Sequence, residues 1–221
     1  LVDKDETALK KAVTKLGVGH AYFPIDVTEA DAADQAMLAA IQNFGGLDIL
    51  VSNAGAAHAG PMISISNDEL RNAFELNFFS HYSFSTEAAK ILKNQNRGGQ
   101  ILFNISKQAV NPGKNFGAYG LPKATTFFLM RQLALELGSD GIRVNGINAD
   151  RIRSGLLTDD FISSRAKSRG VSETEYMAGN LLNKEVKAEH VANAFTSLAC
   201  AESTTGHVMT VDGGNIEASL R

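Results

Sequence analysis

Three short apolar segments constrain this chain more than any other feature: LDILVS at 47–52, GQILFNIS at 99–106 and IRVNGIN at 142–148. Each is too short for a typical helix and is bounded by glycine or polar residues, and LDILVS is continuous rather than alternating. Each therefore reads as a strand buried on both faces. Between and around them lie longer stretches of helical periodicity: EADAADQAMLAAIQNFG, NDELRNAFELNFFSHYSFSTEAAKILKNQ, YGLPKATTFFLMRQLALELG and KAEHVANAFTSLAC. HAYFPIDVT reads as a further strand and turn, and HVMTVDGG as a last short strand. Gly45 and Gly138 are expected helix stops, and Ser66 or Asn67 the cap of the longest helix. Strands that alternate with helices predict an α/β fold with a parallel sheet covered on both faces.

The 221 residues suit a single domain over 1–221, and 44% hydrophobic content supplies its core. A net charge of -3 gives no electrostatic footprint for nucleic acid. No apolar run is long enough to cross a membrane, and LVDKDETALK is charged too early for a signal peptide. The single cysteine, Cys200, excludes an intrachain disulfide and is expected to pack within FTSLAC. A cytoplasmic protein follows from these features. No metal site is expected. The polar stretch at 151–180 is long for a connection, as lids and substrate loops are.

In doubly wound sheets, ligands sit beyond the carboxyl ends of the strands. Here those ends carry Asp26, then Asn53-Ala54-Gly55, then Ser106, then Asn148 to Ser154. Tyr119 and Lys123 lie four apart, one turn of helix, with Pro122 between them. If that helix begins near Gly117 or Ala118, Pro122 falls within its first four or so residues, where a missing amide donor costs little.

Together these pieces resemble the short-chain dehydrogenase/reductase family. They are DVT at 26–28, SNAG at 52–55, Asn77 in ELNFFS, Ser106 in NIS, Tyr119-x-x-x-Lys123 and VDGG at 211–214, in the family's order and spread over nearly the whole chain. Ser106 stands thirteen residues before the tyrosine and seven after Gly99, the family's register on both counts. The resemblance implies a Rossmann-like doubly wound parallel sheet and an NAD-dependent oxidoreductase, with NADP the lesser alternative. It implies that Tyr119 is the acid/base, that Ser106 hydrogen-bonds the substrate oxygen, that Lys123 holds the nicotinamide ribose and that Asn77 anchors a water. For the cofactor it implies Asp26 and Val27 near adenine, Asn53, Ala54 and Gly55 under the cofactor backbone, and Ile152 and Ser154 at the nicotinamide amide. Asp3 would hold the adenosine ribose hydroxyls and favour NAD. The residue types suit the chemistry. Oxidising an alcohol releases a hydride and a proton, and a phenol of pKa about 10 needs roughly 4 kcal/mol of help to act as a base near pH 7.

The chain departs from the family in three places. No glycine-rich turn follows a first strand, because GVG at 17–19 precedes a strand instead. The sheet is therefore expected to lack its first strand, and the native chain to carry about 40 or more residues upstream that supply it. NADRIRS at 148–154 and Lys107 beside Ser106 are the other two departures. With HVMTVDGGNIEASLR they are similar to the dehydrogenase half of fusions between a rhamnulose-1-phosphate aldolase-like domain and a short-chain dehydrogenase. That likeness implies lactaldehyde or a sugar-derived hydroxyaldehyde as substrate. Lys107, Asn111, Asn148 and Arg151 are candidate substrate residues, and Gln108, Lys114, Asn115 and Arg153 make the surroundings polar and basic. Alternatives are a non-catalytic binding protein and a nucleotide-sugar epimerase, which also uses Tyr-x-x-x-Lys. The aromatic-rich segments 74–85 and 125–137 carry more apolar residues than one sheet can cover, which points to a homodimer or homotetramer.

Overall fold

The structure, a computed structural model, describes residues 1–57 and 59–215. Of the quoted C-terminal motif, 216–221 therefore lies outside the described residues. In chain order the main elements are β1 (Val2–Asp3), α1 (Glu6–Leu16), β2 (Phe23–Pro24), α2 (Ala32–Phe44), β3 (Ile49–Ser52), α3 (Asn67–Phe74), α4 (Ser80–Gln95), β4 (Gly99–Asn104), α5 (Gly117–Leu137), β5 (Ile142–Ala149), α6 (Asp159–Ser168), α7 (Glu173–Met177), α8 (Ala188–Cys200) and β6 (Val208–Val211). All strand pairings are parallel. They form a four-stranded sheet in the order β3-β4-β5-β6 and a separate β1-β2 pair.

This is the doubly wound order without its first strand. β3 hydrogen-bonds to β4 on one side only, and β2 pairs with β1 rather than with the main sheet. The apolar run at 49–52 is accordingly not buried as its composition predicts: Ile49 is 42% and Val51 49% exposed. β4 and β5, flanked on both sides, are buried almost throughout. One face of the sheet is covered by α4 and α5, through Leu92, Ile101, Phe103, Met130, Ile142 and Val144. The other is covered by α8, through Leu102, Ile147, Val191 and Leu198. β2 and α2 are tied to α4 by a cluster of Ile25, Ala33, Met37, Phe84 and Ala88, with Leu47 and Leu50 against it.

Two features bear on the site. The expected long helix 67–95 is capped by Ser66, whose hydroxyl accepts from the Glu69 amide, but is widened by one π turn over Glu75–Phe79. That turn is centred on Asn77. The segment 151–180 is no plain surface excursion. Thr158 and Ser172 cap α6 and α7, which close over a small core of Leu157, Ile162, Ala166, Tyr176 and Met177. Cys200 is exposed at the end of α8 rather than packed.

Candidate active site

Ser106 stands two residues past β4, in extended backbone that begins a single tight turn at Lys107–Ala109, and its hydroxyl accepts from the Gln108 amide at 3.2 Å. α5 starts against this turn. A Cβ on Gly120 would stand 3.1 Å from the Gln108 carbonyl, so the glycine lets helix and turn approach closely. The approach brings the Tyr119 phenol and Ser106 to the same cavity, close enough for the serine hydroxyl to act on the phenol. Burial raises the phenol's pKa above its ordinary value, and the Ser106 contact opposes that rise.

Tyr119 and Lys123 do share a buried helix face. Pro122, however, is the sixth residue of α5 and not within its first four. It withdraws the amide that would serve the Ala118 carbonyl, so a genuine ladder bond is given up within the helix. Lys123 is 2% exposed, and its ammonium lies 5.9 Å from the Tyr119 ring centre. It donates to the Asn104 carbonyl at 2.9 Å and meets His81 Nε2 at 3.3 Å. Burial pulls its pKa down to about 7.

His81 was not among the sequence candidates. It is 1% exposed, and its Nδ1 lies 2.6 Å from Ser52 Oγ, one residue before Asn53. An ammonium only donates, so Nε2 must be the bare, accepting nitrogen, and the proton sits on Nδ1 facing Ser52. Burial, then the Lys123 charge, hold His81 well below the ordinary histidine pKa, so it is neutral. Its only sequence trace is its place four residues after Asn77, one helical turn on.

Asn77 bridges the π turn to the loop after β3. Its Nδ2 donates to the Ala56 and Ala73 carbonyls at 2.9 and 3.1 Å, and its Oδ1 accepts from the Ala56 amide at 3.3 Å. Thr126 of α5 donates to the Asn77 main-chain carbonyl at 2.7 Å. Asn53, Ala54 and Gly55 run exposed from the end of β3. A Cβ on Gly55 would meet Asn77 Oδ1 at 2.8 Å and Lys123 Nζ at 3.7 Å, so a bare backbone is required here.

The remaining cofactor candidates stand at the matching strand ends. Asp3 ends β1, and its carboxylate accepts from the Asp5 amide. Asp26 follows β2, with Oδ1 accepting from the Thr28 amide and hydroxyl and Oδ2 3.4 Å from Lys4. Those Thr28 bonds hold Asp26 below its ordinary pKa. Val27 packs on the β2–α2 cluster.

A cavity of about 850 Å³ opens beside Ser106 and Tyr119. Its lining includes Lys107, Gln108, Asn111, Lys114, Asn115, Arg151, Ile152 and Ser154, all named from the sequence. It also includes Phe161, Arg165, Arg169 and Tyr176, which were not. Two candidates fall outside. Asn148 is buried within β5, and Arg153 is taken by Glu185 and Asp159.

The chain is similar to known proteins over most of its length. The family model described as enoyl-(acyl carrier protein) reductase matches residues 1–215. The chain is 35% identical over 198 residues to the uncharacterized oxidoreductase YuxG of Bacillus subtilis, a match that covers 86% of the chain but 29% of that relative's length. It is 32% identical over 180 residues to the 7alpha-hydroxysteroid dehydrogenase of Escherichia coli, covering 80% of this chain and 67% of that one. A short-chain type dehydrogenase/reductase from Mycobacterium ulcerans superposes with a TM-score of 0.85 at 30% identity, over 98% of this chain and 79% of that one. With its parallel sheet, its Ser106–Tyr119 contact and its buried Lys123, the chain belongs to the short-chain dehydrogenase/reductase family.

Proposed function

We propose that this chain is an NAD-dependent oxidoreductase that interconverts a small polar alcohol and its carbonyl compound, with Tyr119 as the acid/base. The observation that carries the reading is that Ser106 and Tyr119 line one cavity side by side, with the buried Lys123 side chain one helical turn behind the phenol. In the oxidative direction the substrate hydroxyl gives its proton to Tyr119 Oη while Ser106 holds the same oxygen by a hydrogen bond. While it holds its proton, Lys123 favours the phenolate by charge, and Asn77 braces the loop on which the cofactor would lie.

The residues fit a nicotinamide dinucleotide. Bare backbone at Gly55 lies near the Lys123 ammonium, while carboxylates at Asp3 and Asp26 mark the two neighbouring strand ends. When bound, the cofactor supplies the hydride acceptor or donor. Asp3 and Asp26 would take the adenosine end, and Ile152 and Ser154 the nicotinamide end. Asp3 supports NAD over NADP, since a carboxylate accepts from ribose hydroxyls and repels a phosphate.

Lys107, Asn111 and Arg151 support a hydroxylated substrate, because an apolar one would leave them desolvated and unpaired. A sugar-derived hydroxyaldehyde such as lactaldehyde satisfies this. A place for this chain as the dehydrogenase part of a longer protein, joined to an aldolase-like domain, is consistent with the 29% share of YuxG that it matches. The exposed residues Phe79, Tyr82, Phe128 and Leu135 on α4, α5 and the π turn support a homodimer or homotetramer built on these helices.

A panel of three- to six-carbon hydroxyaldehydes and diols, read at nicotinamide absorbance with NAD and NADP in parallel, tests the reading. Turnover with NAD on hydroxylated substrates is the expected result. Faster turnover on long apolar alcohols would contradict it.

A further inference from the structure

The lining of the cavity is more cationic than a neutral hydroxyaldehyde can use. Lys107, Lys114, Arg151, Arg165 and Arg169 line it, against the single carboxylate of Asp150. Asp150 is already shared. It lies 3.5 Å from both Lys107 Nζ and Arg151 Nε and accepts from Asn215 Nδ2 at 2.5 Å. Among the described residues, Lys114, Arg165 and Arg169 have no carboxylate within ion-pair distance. The wall is therefore left with a surplus of several positive charges.

These arginines are also held in place. The Arg165 guanidinium lies over the Phe116 ring at 5.4 Å, and Phe116 is packed edge-on against Phe161 at 5.6 Å. Arg151 and Arg169 both lie over the Tyr176 ring, at 4.8 and 5.2 Å. Stacking occupies the face of a guanidinium and leaves its in-plane N–H donors for oxygen acceptors, the geometry that suits an oxyanion. Two buried donors of the same lining have no hydrogen-bond partner, Arg165 Nε and Asn111 Nδ2. Buried donors are normally paired, so an unpaired pair in a cationic wall marks where acceptor oxygens belong.

We propose that this wall is a subsite for a phosphoryl group on the substrate, with the reacting carbon at the Ser106–Tyr119 end and the phosphate among Arg165, Asn111, Lys114 and Arg169. A phosphate dianion answers the charge surplus better than a carboxylate does, and its three oxygens match several converging donors. The inference rests on the oxidoreductase reading only for the orientation of the substrate. The binding site itself is argued from this wall.

The test separates the two. Calorimetry would compare glycerol 3-phosphate, glycerate and glycerol on the native chain and on Arg165→Gln and Lys114→Gln, with NAD-dependent turnover of each compound measured alongside. The expected result is that glycerol 3-phosphate binds at least tenfold more tightly than glycerol or glycerate, and that each variant loses much of this preference. Equal binding of the phosphate ester to the native chain and both variants would overturn the subsite, since the phosphate would then lie elsewhere. Glycerate binding as tightly as the ester would overturn the choice of phosphate. Arg165-dependent phosphate binding with no turnover of any compound would leave the subsite standing and remove the oxidoreductase reading. Turnover without a preference for the ester would do the reverse.

Discussion

The ammonium of Lys123 lies 3.3 Å from Nε2 of His81, and both side chains are almost wholly enclosed. A neutral imidazole thus serves as an acceptor for the buried charge that faces Tyr119. Removing that acceptor weakens the charged form of Lys123 and with it the support for the phenolate. A hydrogen bond to a charged group contributes about 1.5–3 kcal/mol. His81→Phe is therefore expected to lower kcat about tenfold or more and to move the rising limb of the oxidation pH profile upward. His81→Gln, which keeps an acceptor oxygen, should restore part of both. A His81→Phe enzyme with a native pH profile would remove His81 from the account.

Burial of Lys123 also predicts how stability depends on pH. Its folded pKa of about 7 lies below its ordinary value of 10.5, so between those values the unfolded chain binds the proton and the folded chain does not. The lysine's cost to the fold is therefore absent above pH 10.5, grows as pH falls and is complete below 7. Lys123→Met removes the cost along with activity. Its Tm relative to the native chain should rise as pH is lowered from about 10 to 7. Neither neighbour confuses the test, because His81 is shifted well below its ordinary value and Tyr119 above its own. A constant Tm difference across the window would show that Lys123 keeps its proton throughout.

Phe128 is 67% and Leu135 80% exposed on α5, each within two residues of a buried side chain, Met130 and Leu133 respectively. An apolar face of this kind is expected to be covered by a second copy. Sedimentation should give a dimer or tetramer at micromolar concentration, and Phe128→Glu should shift it toward monomer. A monomeric native chain across the same range would reject the contact.

The sequence made the main sheet legible where physics is local and strong. β4 is a continuous apolar run because helices cover both its faces, and Tyr119 and Lys123 could be paired because a helix repeats every turn. β3 misled because an apolar run does not report which neighbours cover it: Leu50 packs against the core that includes α4, while Ile49 and Val51 point to the opposite face and remain exposed. α5 starts at Gly117 as expected, but Pro122 misled because the sixth helical residue already lies beyond the free amides of the first turn. The π turn at Asn77 has no local signal. Arg165, Arg169 and Tyr176 were passed over because only the tertiary fold of α6 and α7 brings them to the cavity. Cys200 sits in an apolar stretch but on its outward side.

Tyr119→Phe tests the central claim most directly. The change deletes one hydroxyl beside Ser106 and leaves the buried ring packed. If the phenol is the acid/base, kcat should fall by at least the ~10²–10⁴ typical of that role. The NAD dissociation constant and Tm should stay near native values in the same preparation. A Tyr119→Phe chain that binds NAD and keeps most of its kcat would contradict the account.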